Sequence, residues 1–239
     1  YNDTKGYGTS NYPSGLLVYD VTSYFNRSGN SLTLTKGINT TISLYGGYLV
    51  VVYQDANATY KKIYINDGTD LLCSSNSFSV NDTEATAYAT YNNVNTTNMS
   101  GASVVVVMAS ADKTGQSKFF FNGNMYSGFW SDYTGNSGSQ TGFSVYNVFS
   151  NIQNGSNLAG IQSYNNGTTG DNMVALSSIL IVTYDTTAPV VNATPTGGLF
   201  NATQTVTLTA LDDQDSNPII YYTTDGTTPT NSSTVYTGP

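Results

Sequence analysis

The chain has 239 residues, 38% hydrophobic and only 9% charged, with seven Lys or Arg against fifteen Asp or Glu and no histidine. A formal charge of −8 leaves nothing to neutralise phosphates, which excludes nucleic acid as a partner and disfavours anionic membrane surfaces. Without histidine there is no Ser-His-Asp or Cys-His nucleophile system and no His-bearing zinc site.

Polarity comes instead from 27 Asn, 27 Ser and 35 Thr, which together with 20 Tyr suit strands and turns better than helices. The single glutamate, Glu84, argues against long amphipathic helices. Runs of β-branched and aromatic residues predict strands over 16–19, 31–35, 40–45, 48–53, 61–65, 85–91, 102–109, 118–121, 142–146, 159–163 and 174–184. Turn signals separate them at Asn66-Asp67-Gly68, Asn122-Gly123, Asn154-Gly155 and Asn166-Gly167. Short strands at this spacing predict an all-β domain, a large jelly roll or β-sandwich, over residues 1–185. No apolar run is long enough for a membrane-spanning helix.

Two stretches repeat in the same order. Gly15-Leu-Leu-Val-Tyr-Asp-Val-Thr-Ser-Tyr-Phe25 resembles Gly142-Phe-Ser-Val-Tyr-Asn-Val-Phe-Ser-Asn-Ile152, and Leu49-Val-Val-Val-Tyr-Gln-Asp55 resembles Leu180-Ile-Val-Thr-Tyr-Asp185. The offset is 127 residues at the start and 131 at the tyrosine, which implies an internal duplication. In each copy the Asp20 or Asn147 side chain is expected to accept a backbone N–H at a turn after the strand. One helical turn should follow, with Tyr24 and Phe25, or Ile152, closing the end of the core.

The segment Tyr184-Asp-Thr-Thr-Ala-Pro189 reads as a linker, with a second domain over 186–239. There, a Thr-alternating strand over 204–210 should turn Val206 and Leu208 inward. An acidic turn at 212–218 and a strand over 219–222 follow. About 54 residues are short for an immunoglobulin-like sandwich of roughly 70–100. The expectation is a partial one, completed further along the gene or by a strand from another chain.

Several residues are candidates for function. Twelve asparagines head Asn-x-Ser/Thr sequons, where chance alone gives roughly 7: Asn2, Asn26, Asn39, Asn57, Asn81, Asn95, Asn98, Asn154, Asn166, Asn192, Asn201 and Asn231. Calcium wants several oxygen ligands. Asp212, Asp213 and Asp215 offer three carboxylates in four residues, and Asp67, Asp70 and Asp185 are further candidates. No Lys or Arg follows Lys118 to neutralise the later acids. Tyr126, Phe129, Trp130 and Tyr133 cluster in a Gly/Ser/Asn-rich stretch, and an aromatic platform of that kind stacks on sugar rings; Trp130, Tyr126 and Tyr133 are the sugar candidates. Cys73 is the only cysteine, so no intrachain disulfide forms. The carboxylates sit mostly in turn contexts, and no catalytic residue is assigned.

Residues 189–239 resemble the immunoglobulin-like domain at the C-terminus of chitobiases and hexosaminidases, through Ile220-Tyr-Tyr-Thr-Thr-Asp-Gly-Thr-Thr-Pro229 and Tyr236-Thr-Gly-Pro239. That resemblance implies an appended module without catalytic residues. Residues 14–185 resemble a domain family found in large surface proteins of methanogenic archaea, through Leu49–Asp55, Lys62-Ile-Tyr-Ile-Asn-Asp-Gly-Thr-Asp-Leu-Leu72 and Gly170-Asp171. This implies an adhesin-like, secreted surface location. The expectation is an extracellular structural or adhesive glycoprotein, a subunit of a filament or envelope, and not an enzyme. Its partners would be other subunits, further copies of itself, or glycans, with no direct membrane insertion. The competing reading is a carbohydrate-binding module of a larger surface protein.

Overall fold

The computed structural model describes residues 14–35, 37–39, 41–42, 44–111, 115–126, 140–167 and 169–239, together with the backbone of 2–3. The chain divides into two compact units, Tyr1–Thr183 and Tyr184–Pro239. It is nearly all β, built of antiparallel sheets with no barrel, as a β-sandwich requires.

The first unit begins with a two-stranded pair, β1 (Asn2–Asp3) and β2 (Ser14–Gly15). Its body is β3 (Lys61–Leu72), β4 (Thr86–Val94), β5 (Met99–Ala109), β6 (Ser117–Phe121), β7 (Asn124–Tyr126), β8 (Thr141–Asn147), β9 (Gly155–Ser163) and β10 (Met173–Tyr184). These form two four-stranded sheets, ordered β3-β10-β5-β8 and β4-β9-β6-β7. Alternation sets what each sheet turns inward. Val104, Val106, Met108, Leu180 and Val182 line the first sheet's inner face, all buried. Tyr91, Phe119, Phe121, Ala159 and Ile161 line the second. Aromatic pairs join the layers: Phe119 stacks on Tyr146 at 4.6 Å, and Tyr64 meets Tyr91 edge-on at 6.4 Å.

Several predicted strands recur here, most of them longer than their apolar runs suggest. The Asn122-Gly123 signal is the two-residue β6–β7 hairpin, with both residues at positive φ (50° and 81°), as a type I′ turn demands. Asn66-Asp67-Gly68, by contrast, is no turn. It lies inside the twelve-residue β3, where the register with β10 slips between Ala175 and Ser177. Two residues of β3 there face one of β10, so the Gly is absorbed as a bulge.

The larger correction concerns residues 16–53. The expected strands over 16–19, 31–35 and 48–53 are not strands, nor are the described residues of 40–45. Apolar residues such as Leu17, Leu32, Leu34, Leu49 and Val51 stay exposed. High β-propensity alone does not make a strand; a paired edge and a buried face must accompany it. The expected turn does form in both repeat copies. Asp20 Oδ1 accepts from the Thr22 N–H at 2.9 Å, and Asn147 Oδ1 from that of Phe149 at 3.0 Å. A 3₁₀ turn follows at Thr22–Tyr24. The aromatic plug is absent in the first copy, where Tyr24 is 81% exposed.

The second unit has β11 (Val190–Thr194) paired with β12 (Thr207–Leu211), and β13 (Tyr221–Tyr222) paired with β14 (Thr234–Val235). β12 starts later than its Thr alternation predicts, so Val206 lies outside it and exposed while Leu208 is half-buried.

Candidate functional site

The second unit builds its acidic site from topology. In the β11–β12 ladder Val190 opposes Leu211. The residues entering β11 therefore lie beside those leaving β12. Asp185 and the pair Asp212 and Asp213 meet there, with one carboxylate oxygen from each within 4.8 Å of the others. Each of the first two is held by a local turn. Asp185 Oδ1 accepts from the Thr187 N–H at 2.9 Å, and Asp212 Oδ1 accepts from Gln214 and Asp215 at 2.9 and 2.7 Å. Those two backbone donors hold the Asp212 carboxyl below its ordinary pKa, Asp215 contributing most. Its other oxygen, Oδ2, is buried with no hydrogen-bond partner.

Three converging carboxylates repel one another, and residues 119–239 supply no Lys or Arg to offset them. A hard cation taking oxygen ligands fits that arrangement, with Asp212 Oδ2 as a ready donor. The sequence pattern grouped Asp212 and Asp213 with Asp215; the structure replaces Asp215 with Asp185. Asp215 instead accepts from the Asn217 N–H at 2.9 Å. Asp67 and Asp70 lie on β3 of the first unit and belong to no such trio among the described residues. Asp67 Oδ1 takes the Ser177 hydroxyl at 2.7 Å, and Ser177 in turn meets the Tyr48 hydroxyl. That chain of hydroxyls pins residue 48 over the outer side of β3 and β10, a tether no sequence spacing advertises.

Of the sugar candidates, Trp130 and Tyr133, with the neighbouring Phe129, lie outside the described residues. Tyr126 ends β7 half-buried, its ring 5.6 Å from Phe119 and 5.8 Å from Tyr146, its hydroxyl accepting from Asn151 Nδ2 at 2.7 Å. Tyr126 thus packs into an aromatic cluster at the sandwich edge. Cys73 is buried and forms no disulfide.

The side chain of Asn2 lies outside the described residues, and the other eleven sequon asparagines are all exposed. Asn157, the fully buried asparagine, heads no sequon. In Asn26 and Asn81 the Oδ1 accepts a backbone N–H, from Ser28 at 2.9 Å and Glu84 at 3.0 Å. The side chain is fixed through its oxygen, while Nδ2, the atom a glycan attaches to, takes no protein partner among the described residues. The signature around Asp225 also has a structural cause. Asp225 Oδ1 accepts from both the N–H and the hydroxyl of Thr227, at 3.0 and 2.6 Å, and Gly226 sits at φ 81°. This Asp-Gly-Thr is a turn held by one carboxylate, whose pKa the Thr227 bonds lower.

These features define an all-β protein of two units, a sandwich followed by an immunoglobulin-like module. The chain belongs to the family described as protein of unknown function DUF3344, which matches residues 1–183. Residues 195–239 match the chitobiase/beta-hexosaminidase C-terminal domain. No curated protein matches the chain.

Proposed function

We propose that this chain is part of an extracellular cell-surface protein with a structural or adhesive role and no catalytic centre. The observation that carries the reading is the exposure of all eleven described sequon asparagines, in a surface made polar by amides and hydroxyls rather than charge. The setting we propose is the envelope of an archaeal cell, in line with the resemblance to methanogen surface proteins. Glycopeptide mass spectrometry on protein shaved from intact native cells tests it. Glycans at several of the eleven positions are the expected result; an unmodified protein that protease reaches only after lysis would sink the reading.

Calcium bound at Asp185, Asp212 and Asp213 is part of the same proposal, supported by the closeness of the three carboxylates and by the buried, unpartnered Oδ2 of Asp212. Assembly with further copies by strand addition is supported by the second unit, whose strands are only two to five residues long and leave Val190, Leu211 and Val235 exposed. A protein that stays monomeric at high concentration with calcium present would remove the assembly claim. A carbohydrate-binding role is the second reading, favoured by the chitobiase/hexosaminidase-type module.

A further inference from the structure

The first unit holds a polar cleft of about 550 Å³, within the roughly 300–1,000 Å³ of small-molecule sites. It lies where the segment between β3 and β4 meets the loop after β9. Its polar lining is Ser74, Asn76, Asn81, Asp82, Thr83 and Asn165. Asp82 is its anchor. Asp82 Oδ1 takes the Ser74 hydroxyl and the Asn165 N–H, the latter at 3.0 Å. Ser74 is itself buried, its N–H bonded to Ser163 Oγ at 3.0 Å, so the cleft floor is tied to the end of β9. Asn81 and Glu84 bond reciprocally, each backbone N–H to the other's side chain at 3.0 Å, which fixes the rim as one turn.

This rigid frame leaves a specific set of groups open. Among the described residues, Asp82 Oδ2 accepts nothing from the protein and Asp82 is the only charge in the lining. Beside it stand the Nδ2 donors of Asn76 and Asn81 and the Thr83 hydroxyl, on exposed side chains. An acceptor anion flanked by neutral amide donors suits a ligand that both donates and accepts at closely spaced positions. Vicinal sugar hydroxyls do so: one gives its proton to the carboxylate, its neighbour takes an amide N–H. A cation fits worse, because amide nitrogens cannot ligate it and one carboxylate is few for calcium. A phosphate or carboxylate ligand would face Asp82 with no basic residue among the described lining residues to offset it.

We propose that this cleft binds the hydroxyls of a neutral sugar ring, with Asp82 Oδ2 as acceptor and Asn76, Asn81 and Thr83 as the surrounding donors. The proposal deepens the surface reading and rests on it for its setting. Asn81 also heads a sequon, so a glycan on its Nδ2 and a sugar in the cleft exclude each other.

The test uses the full chain produced without glycans, in excess EDTA, against glucose, galactose, mannose and N-acetylglucosamine. Saturation-transfer NMR and amide shift titration are the readouts. At least one sugar should show transfer and shift the amides of 74–83 and 165–167. The double change Asn76→Ala with Thr83→Ala touches two exposed side chains and should keep the wild-type melting temperature while weakening binding at least ten-fold. Asp82→Asn, which keeps an Oδ1 acceptor, should weaken it similarly. No transfer from any of the four sugars overturns the proposal, as does binding unchanged in both variants. Either failure leaves the glycopeptide result standing, so the two readings fail separately.

Discussion

Tyr91 is 1% exposed, and its hydroxyl crosses from the second sheet to Ser178 on β10. Tyr91→Phe removes that hydroxyl and leaves the Ser178 oxygen buried without its partner, a loss of about 1–3 kcal/mol in urea unfolding. Adding Ser178→Ala should recover part of it, because both ends of the bond are then gone and the double-mutant cycle is non-additive. Burial also holds the Tyr91 hydroxyl well above its ordinary value of 10.0. Below that value the group is neutral in folded and unfolded chains alike, so its contribution is fully present. As pH rises past about 10 the unfolded chain releases the proton first, and stability falls by up to about 1.4 kcal/mol per pH unit from this group. Urea midpoints between pH 9 and 11 should fall more steeply for the wild type than for Tyr91→Phe; equal slopes would contradict the assignment. At this scale the sequence is only partly readable. Abundant tyrosine signals strands, but which Tyr buries its hydroxyl against which Ser depends on register, and register is a property of two strands at once. Asp185 and the 212–213 pair could be suspected from a base-free region, whereas their meeting depended on the β11–β12 pairing.

Between elements, the segment leading into β10 is held more tightly than its glycine content suggests. A side chain at Gly170 would strike Ser163 Oγ and come within 3.1 Å of the Tyr164 backbone. Ser163 cannot swing away cheaply, since its hydroxyl donates to the Asp171 carbonyl at 2.7 Å and accepts from Ser74. Gly170→Ala should therefore cost about 2–3 kcal/mol by overpacking, measurable as a lowered urea midpoint. Gly68, with nothing near its missing side chain, should accept Ala within about 1 kcal/mol. The Asn122-Gly123 hairpin was readable because the turn type needs positive φ at both residues and those two supply it. The same dipeptide logic failed at Asp67-Gly68, where pairing along the whole of β3 outweighed a local turn preference. The repeat in 15–55 was readable as sequence, yet only its Asx turn and the 3₁₀ turn after it carried over into structure. A turn needs one side chain and two backbone groups, while a strand needs a neighbour.

The two units differ in what holds them. Apart from Tyr184 at its very start, the second unit has no fully buried hydrophobic side chain, and the rest of the buried core lies in the first unit. A unit of this size buries too little apolar surface to be more than marginal alone. Its tertiary links are local: Tyr222 edge-on to Tyr236 at 6.4 Å, and the Tyr236 hydroxyl to the Val206 carbonyl at 3.4 Å. Calorimetry should accordingly show two transitions, with the second unit melting first. The carboxylate trio lies entirely in that weaker unit, which makes it a thermodynamic handle. With a Kd of about 10⁻⁴ M, as in extracellular calcium modules, calcium at about a hundredfold excess stabilises the bound unit by about 2.7 kcal/mol. In so small a unit that raises the lower transition by roughly 10 °C or more. The upper transition, set by the sandwich core, should stay where it is. Asp212→Asn keeps the Oδ1 acceptor of the turn but removes charge from the trio, so the calcium-dependent shift should shrink to a small fraction. A shift of both transitions together, or one that persists in Asp212→Asn, would place the ion elsewhere.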